Sequence, residues 1–369
     1  MICILEVMTG FLFLSNFLYK PRKIWYDVCY FFPSYYNYIP DMRRISIYHT
    51  IILFILLAAC SNNKQPLLPK VTGKPGEVLL VVDQYIWESE IGNFLNTMLT
   101  QPFEAIPQEE PIYDPIRISS SAFNNIFKSH RNIILAKISS RNKKPRIIVQ
   151  RDIWAKPQLV VNIIGPNDST TLQYLEENQD KLVSLLNQAE INRTIENYKK
   201  NRAKGIDEAL KTKHHLTISV PIGYQMDVDA DNFIWISHEL SDLTQGILIY
   251  YYEYTDSNTF TPEYLVQKRN EFTRRYVPGP VDGSYMKTED LYPVVYNQYN
   301  RDDKYYIELR GLWKLEKAFM GGPYVSLTTL DEKRNRIVTV DGFVYAPSLN
   351  KRNYVREIEA IIHTLTITE

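Results

Sequence analysis

From Glu77 onward the apolar positions switch between two periods. Val78 to Val82 is a compact apolar run and predicts a buried strand. Ile91, Phe94, Leu95 and Met98 then recur at helical spacing. Segments 133–138, 146–150 and 159–164 read as strands bounded by polar or Pro-containing turns. A helix follows, with Asp168, Ser169 or Thr170 as its cap and Leu172, Leu175, Leu182, Val183 and Leu186 on one face. Residues 188–212 continue helically. Their dense charge, including Lys199, Lys200, Arg202 and Lys204, reads as a solvated face rather than a patch for nucleic acid or lipid headgroups.

The second stretch repeats the theme. Leu216 to Val220 and the turn Pro221-Ile222-Gly223-Tyr224 lead to strands at 233–237 and 246–254. Thr261-Pro262-Glu263 predicts a helix start, with Thr as cap and Pro in the first helical position. Strand patterns return at 305–313, 324–330 and 336–345. A last helix carries Tyr354, Val355, Ile358, Ile361, Ile362 and Leu365 on one face. The fold class is therefore α+β, with two β-sheet-plus-helix halves at 77–212 and 213–369. The halves echo each other. Arg151 and Trp154 correspond to Arg310 and Trp313, and Pro166 and Pro347 each stand between a strand and an amphipathic helix. This pattern predicts a diverged internal duplication, with Tyr250 to Tyr254 lining a groove between the two units.

Residues 42–59 form a signal segment. Arg43 and Arg44 precede the apolar run Ile51 to Leu57, and Ala58-Ala59 lead to Cys60. The run is far shorter than the ~20 residues that span a bilayer, so cleavage is the better reading. Leu57-Ala58-Ala59-Cys60 resembles the lipobox of bacterial lipoproteins, which implies a lipidated Cys60 and a membrane contact through that anchor. An ordinary secretory signal is the alternative. Residues 1–41 precede a complete signal and are read as an extension outside the fold, two membrane segments being the alternative. Residues 60–76, polar and Pro-containing, read as the lipidated tether. Ser61 follows the Cys and no acidic residue appears before Glu77. Together these imply an outer-membrane lipoprotein facing the periplasm.

The lipobox, the segment RDIWAKPQLVV, the PIGY turn followed by FIWIS, and RGLWKLEKAFMGGPYVS together resemble an uncharacterised Bacteroidetes lipoprotein family, domain of unknown function 4837. The resemblance runs from about Lys74 to the C-terminus. It implies location and architecture and brings no catalytic residues.

Charge and composition narrow the functional classes. Lys+Arg and Asp+Glu both number 42, and the pI is near 7.0, unlike proteins built to hold nucleic acid. Cleavage before Cys60 removes Cys3 and Cys29, leaving no disulfide and no thiol nucleophile. His214 and His215, read at the start of a strand, would point to opposite faces. Asp227, Asp229 and Asp231 begin like a calcium loop, but Asn232 stands where glycine is required and His238 where a bidentate Glu is. An acidic turn is the better account, and no metal or cofactor is expected. No G-x-S-x-G, P-loop or G-x-G-x-x-G appears. Glu109 and Glu110 are a carboxylate pair of the kind a glycosidase uses, though spacing in space decides that. Aromatic side chains are the remaining lead: Tyr250, Tyr252, Tyr254, Trp154 and Trp313 are the candidate binding residues for a protein or glycan partner. The expected function is a non-catalytic envelope binding or scaffolding module, with an enzyme acting on cell-envelope glycan as the alternative.

Overall fold

The computed structural model describes residues 67–369. Cys60, the signal segment 42–59 and the extension 1–41 lie outside the described residues. In the first half, β1 (Glu77–Val81) leads through a short α1 (Gln84–Trp87) into α2 (Glu90–Thr100), then β2 (Asp114–Ile118) and α3 (Asn125–Lys128). It continues with β3 (Asn132–Ile138), β4 (Arg146–Arg151), β5 (Leu159–Gly165), α4 (Asp168–Glu177) and α5 (Gln179–Lys200). The sheet order is β2-β1-β3-β5-β4, parallel except for β4, which returns antiparallel to β5. Parallel neighbours need crossovers, and α2, α4 and α5 supply the cover on one face. Asn167 rather than Asp168, Ser169 or Thr170 caps α4, its side chain accepting from the Thr170 backbone N–H.

Helix α6 (Lys204–His214) leads into the second half. It is followed by β6 (Leu216–Thr217), β7 (Gln225–Asp229), β8 (Phe233–Glu239), β9 (Thr244–Glu253) and α7 (Pro262–Tyr276). Then come β10 (Tyr285–Thr288), β11 (Val295–Arg301), β12 (Lys304–Glu316), β13 (Gly321–Asp331), β14 (Arg336–Tyr345), α8 (Arg352–Ile362) and β15 (Thr366–Ile367). An antiparallel sheet runs β10-β12-β13-β14-β9-β8-β7, with β11 pairing β12 beside β10, and β6 pairs β15 separately. Alternation along each strand feeds two cores. Ile247, Ile249, Val338 and Val340 pack under Val355, Ile358, Ile361 and Ile362 of α8. Leu248, Tyr250, Trp313 and Phe343 share the opposite core with Leu265 and Phe272 of α7.

The α+β class and the two halves are as expected. The internal duplication is not present. One sheet is mainly parallel, the other wholly antiparallel, and their strand orders differ. Arg151 ends an edge strand and Trp154 lies beyond it, whereas Arg310 and Trp313 both lie within β12. The shared strand–Pro–helix pattern at Pro166 and Pro347 reflects the missing N–H of proline, which suits any strand-to-helix break. Of the stretch 60–76 expected as a tether, the described part, from residue 67, joins the fold at Lys70 and Thr72. These bridge Lys156 and His130, and residues 68–369 form one compact unit.

Candidate functional site

Strand β12 turns opposite chemistries to its two faces. Ile307, Leu309 and Trp313 enter the core under α7, while Glu308 and Arg310 face α8. On α8, Glu359 and the following His363 stand one turn apart and reach the same spot. Arg310 Nε donates to Glu308 at 2.8 Å and its Nη2 to Glu359 at 2.5 Å, and His363 Nε2 lies 2.8 Å from Glu308 Oε2. Burial would raise the Glu308 carboxyl, but the Arg310 charge and the His363 hydrogen bond outweigh it and hold it at about 2. Glu308 is thus a fixed anion, neither an acid at neutral pH nor an effective base.

Beside this cluster is a cavity of about 380 Å³ between the halves. The first half supplies Phe103, Glu104, and Asp180 and Asn187 of α5; the second supplies Asn297 of β11, Glu308, Arg310, Arg356 and Glu359. Arg356 Nη2 donates to the Ile112 carbonyl at 2.7 Å, and its guanidinium lies 4.6 Å over the Tyr113 ring. Its Nη1 is buried without a partner among the described residues. Glu308, Glu359 and His363 offer three ligand-type atoms within 4.8 Å of one another. Arg310 already bonds both carboxylates, so a metal ion would have to expel it.

Sequence reasoning passed over Arg310 as a site residue and treated Glu110 as one of a scattered carboxylate pair. Glu110 is buried, accepting backbone N–H groups at the start of α8, and so is committed to structure. The aromatic candidates do not form one site. Tyr250 is 2% exposed and Trp313 3%, both in the core. Tyr250 stacks on Phe272, and Trp313 Nε1 donates to the Val344 carbonyl. Tyr252 is half-buried beside Tyr264 with Lys268 over its ring, and Tyr254 packs near Phe260. Trp154 lies in the first half, edge-on to Phe123. Tyrosines on a central strand of a sheet covered on both faces are packing residues, so Tyr250 to Tyr254 line no groove between halves. His214 is the last residue of α6, not part of a strand, and His215 is its left-handed cap. Lys213 Nζ and His214 Nε2 both reach Asp229, so that carboxylate, at the end of β7, is already taken by protein groups.

Two unlike sheets on either side of a charged cavity define a two-part α+β chain, and the cavity is lined by both parts. The second half carries the domain of unknown function DUF4837, matched over residues 203–364. Residues 71–199 match a different family, the domain of unknown function DUF8532. The resemblance read from the sequence is therefore confined to the second half, and the family boundary falls between α5 and α6. No curated protein matches the chain.

Proposed function

We propose that the chain is a lipid-anchored, non-catalytic binding module of the cell envelope, held by Cys60 at the periplasmic side of the outer membrane, with its partner seated in the cavity between the halves. One observation carries the binding half of this reading: the strongest charges at the cavity neutralise one another through Arg310 instead of being poised for proton transfer. Besides them the cavity is faced by amides and carboxylates such as Asn187, Asn297, Glu104 and Asp180, by the Arg356 guanidinium and by the ring of Phe103. Such a mixture hydrogen-bonds hydroxyl and amide groups while giving an apolar face to stack on, which suits a short envelope glycan or an exposed protein loop. The reading of an enzyme acting on glycan has less behind it, because Arg310 bonds both Glu308 and Glu359 and leaves neither of that pair free to act on a substrate. The anchor reading rests on the lipobox at Cys60. The test is a photo-crosslinking residue at Asn297 in cells, together with palmitate labelling of wild type and Cys60→Ala. Labelling confined to wild type and an envelope-derived adduct at Asn297 are expected. A Cys60→Ala chain that still labels refutes the anchor, and the lack of any adduct above an exposed control position refutes the cavity as the binding site.

A further inference from the structure

Parallel sheets have both faces covered almost without exception, because crossover helices pack on them. The first sheet departs from this. Helices α2, α4 and α5 all lie on the face that holds Val78, Leu80, Ile134 and Val161. The other face has only four buried side chains, Leu79, Val81, Ile133 and Val160, and its cover is a thin strip of Phe123, Phe127 and Trp154. Beyond that strip, Ile116 and Ile148 are 39% and 38% exposed, and Ile126 of α3 is 78% exposed.

The rim of this face is positively charged. From Pro115 to Arg151 there are nine Lys and Arg residues and no Asp or Glu, in a chain whose net charge is zero. Arg117 and Arg151 stand opposite Leu80 and Leu159 in the register and so belong to the covered face, and Arg131 pairs with Glu190 of α5; the other six pair with no carboxylate among the described residues. Lys137 and Arg146 both stand opposite Ile164 in the sheet register and so share the open face. Arg141, Lys143 and Lys144 occupy the turn joining β3 to β4. The chain enters at the opposite end of the same sheet, beside the starts of β3 and β5. The Pro69 carbonyl accepts from Lys156 N at 2.8 Å, and Thr72 N donates to the Ser129 carbonyl at 2.8 Å. Cys60 precedes Leu67 by seven residues, so it lies within about 25 Å of Leu67 even at full extension.

We propose that this face of the first half docks on a membrane surface bearing anionic phospholipid headgroups. The isoleucines would sit at the headgroup–acyl boundary, with the basic turn against the phosphates. The proposal shares with the proposed function the reading of Cys60 as an anchor, which would hold this face within reach of the bilayer. Its experiment does not depend on that reading, since residues 68–369 contain every core of the fold and lack Cys60.

Each basic residue at an anionic surface contributes about fivefold to binding, and high salt screens the effect. Purified residues 68–369 should co-sediment with vesicles of phosphatidylcholine containing phosphatidylglycerol, more weakly at high salt, and not with phosphatidylcholine alone. The triple variant Lys143→Gln, Lys144→Gln, Arg146→Gln should bind on the order of a hundredfold more weakly. Ile126→Ser with Ile148→Ser should also weaken binding. The control triple Lys211→Gln, Lys304→Gln, Lys333→Gln changes the net charge equally, on α6 and the second half, and should bind like wild type, circular dichroism verifying the fold of each variant. No vesicle binding overturns the proposal and leaves a protein partner for this face. Equal loss in the control triple also overturns it, because bulk charge would then be responsible. Palmitate labelling of Cys60 in cells tests the anchor separately.

Discussion

Glu110 caps a helix to which it does not belong: its carboxylate accepts the backbone N–H of Arg352 at 3.2 Å, and that of Lys351 at 2.5 Å, from the far side of the joint between the halves. Helix α8 has no side-chain cap of its own, so the first half supplies the acceptor and negative charge that its N-terminus lacks. Arg352 returns the contact, donating to the Pro111 carbonyl at 2.8 Å and to Asp114 at 2.6 Å.

Glu110→Ala should therefore lower stability by about 1–2 kcal/mol, the loss expected for a helix cap made by a charged acceptor. Glu110→Gln, which keeps one acceptor oxygen, should lose less. Urea denaturation measures both, and an unchanged midpoint in Glu110→Ala would show that the cap does not bind the halves together.

Acid should weaken the chain through Glu308. Its folded-state value of about 2 is below its ordinary 4.5, so the stabilisation is present above pH 4.5 and is lost as pH falls toward 2. The contribution is on the order of 3 kcal/mol. Glu308→Gln should flatten that part of the stability–pH curve, read from urea midpoints at a series of pH values. The same slope in variant and wild type would assign the acid sensitivity elsewhere.

The ion pair under α7 should behave differently from a surface pair. Arg269 Nε lies 2.7 Å from Asp341 Oδ2 with both side chains buried, and the Arg269 guanidinium is 3.9 Å from the Tyr324 ring centroid. Burial raises the Asp341 carboxyl even against Arg269. Asp341→Asn strands a buried cation and should cost about 3–5 kcal/mol, whereas Arg269→Met with Asp341→Leu should recover most of it. Chemical denaturation of the two variants decides, and equal losses would contradict the account.

Trp313 should prove a packing residue. Trp313→Ala removes an indole edge-on to Phe343 and its hydrogen bond to Val344, and should destabilise by about 3–5 kcal/mol. A variant with wild-type thermal stability but altered partner crosslinking would return Trp313 to the binding surface.

Local patterns determined the elements. The runs at Val78, Ile133 and Leu159 and the face from Tyr354 to Leu365 each had the period of the strand or helix they form, because burial on one side is written into spacing. The stop at Pro166 and the start at Pro262 were equally legible, since proline acts through its own backbone. What partners each element took was decided only by the tertiary structure. Strand direction is not encoded in apolar spacing, so a parallel sheet and an antiparallel one share the same strand pattern, and that shared pattern suggested a duplication. Strands such as β2 and β11 escaped notice because their exposed, mixed side chains carry little pattern. The cavity was illegible for a stronger reason: Glu308 and Arg310 come from a strand, Glu359 and His363 from the last helix, and Asp180 and Asn187 from the other half. Charges so far apart in sequence acquire their pairing, and Glu308 its firm ionisation, only when folding brings them within hydrogen-bond distance away from water.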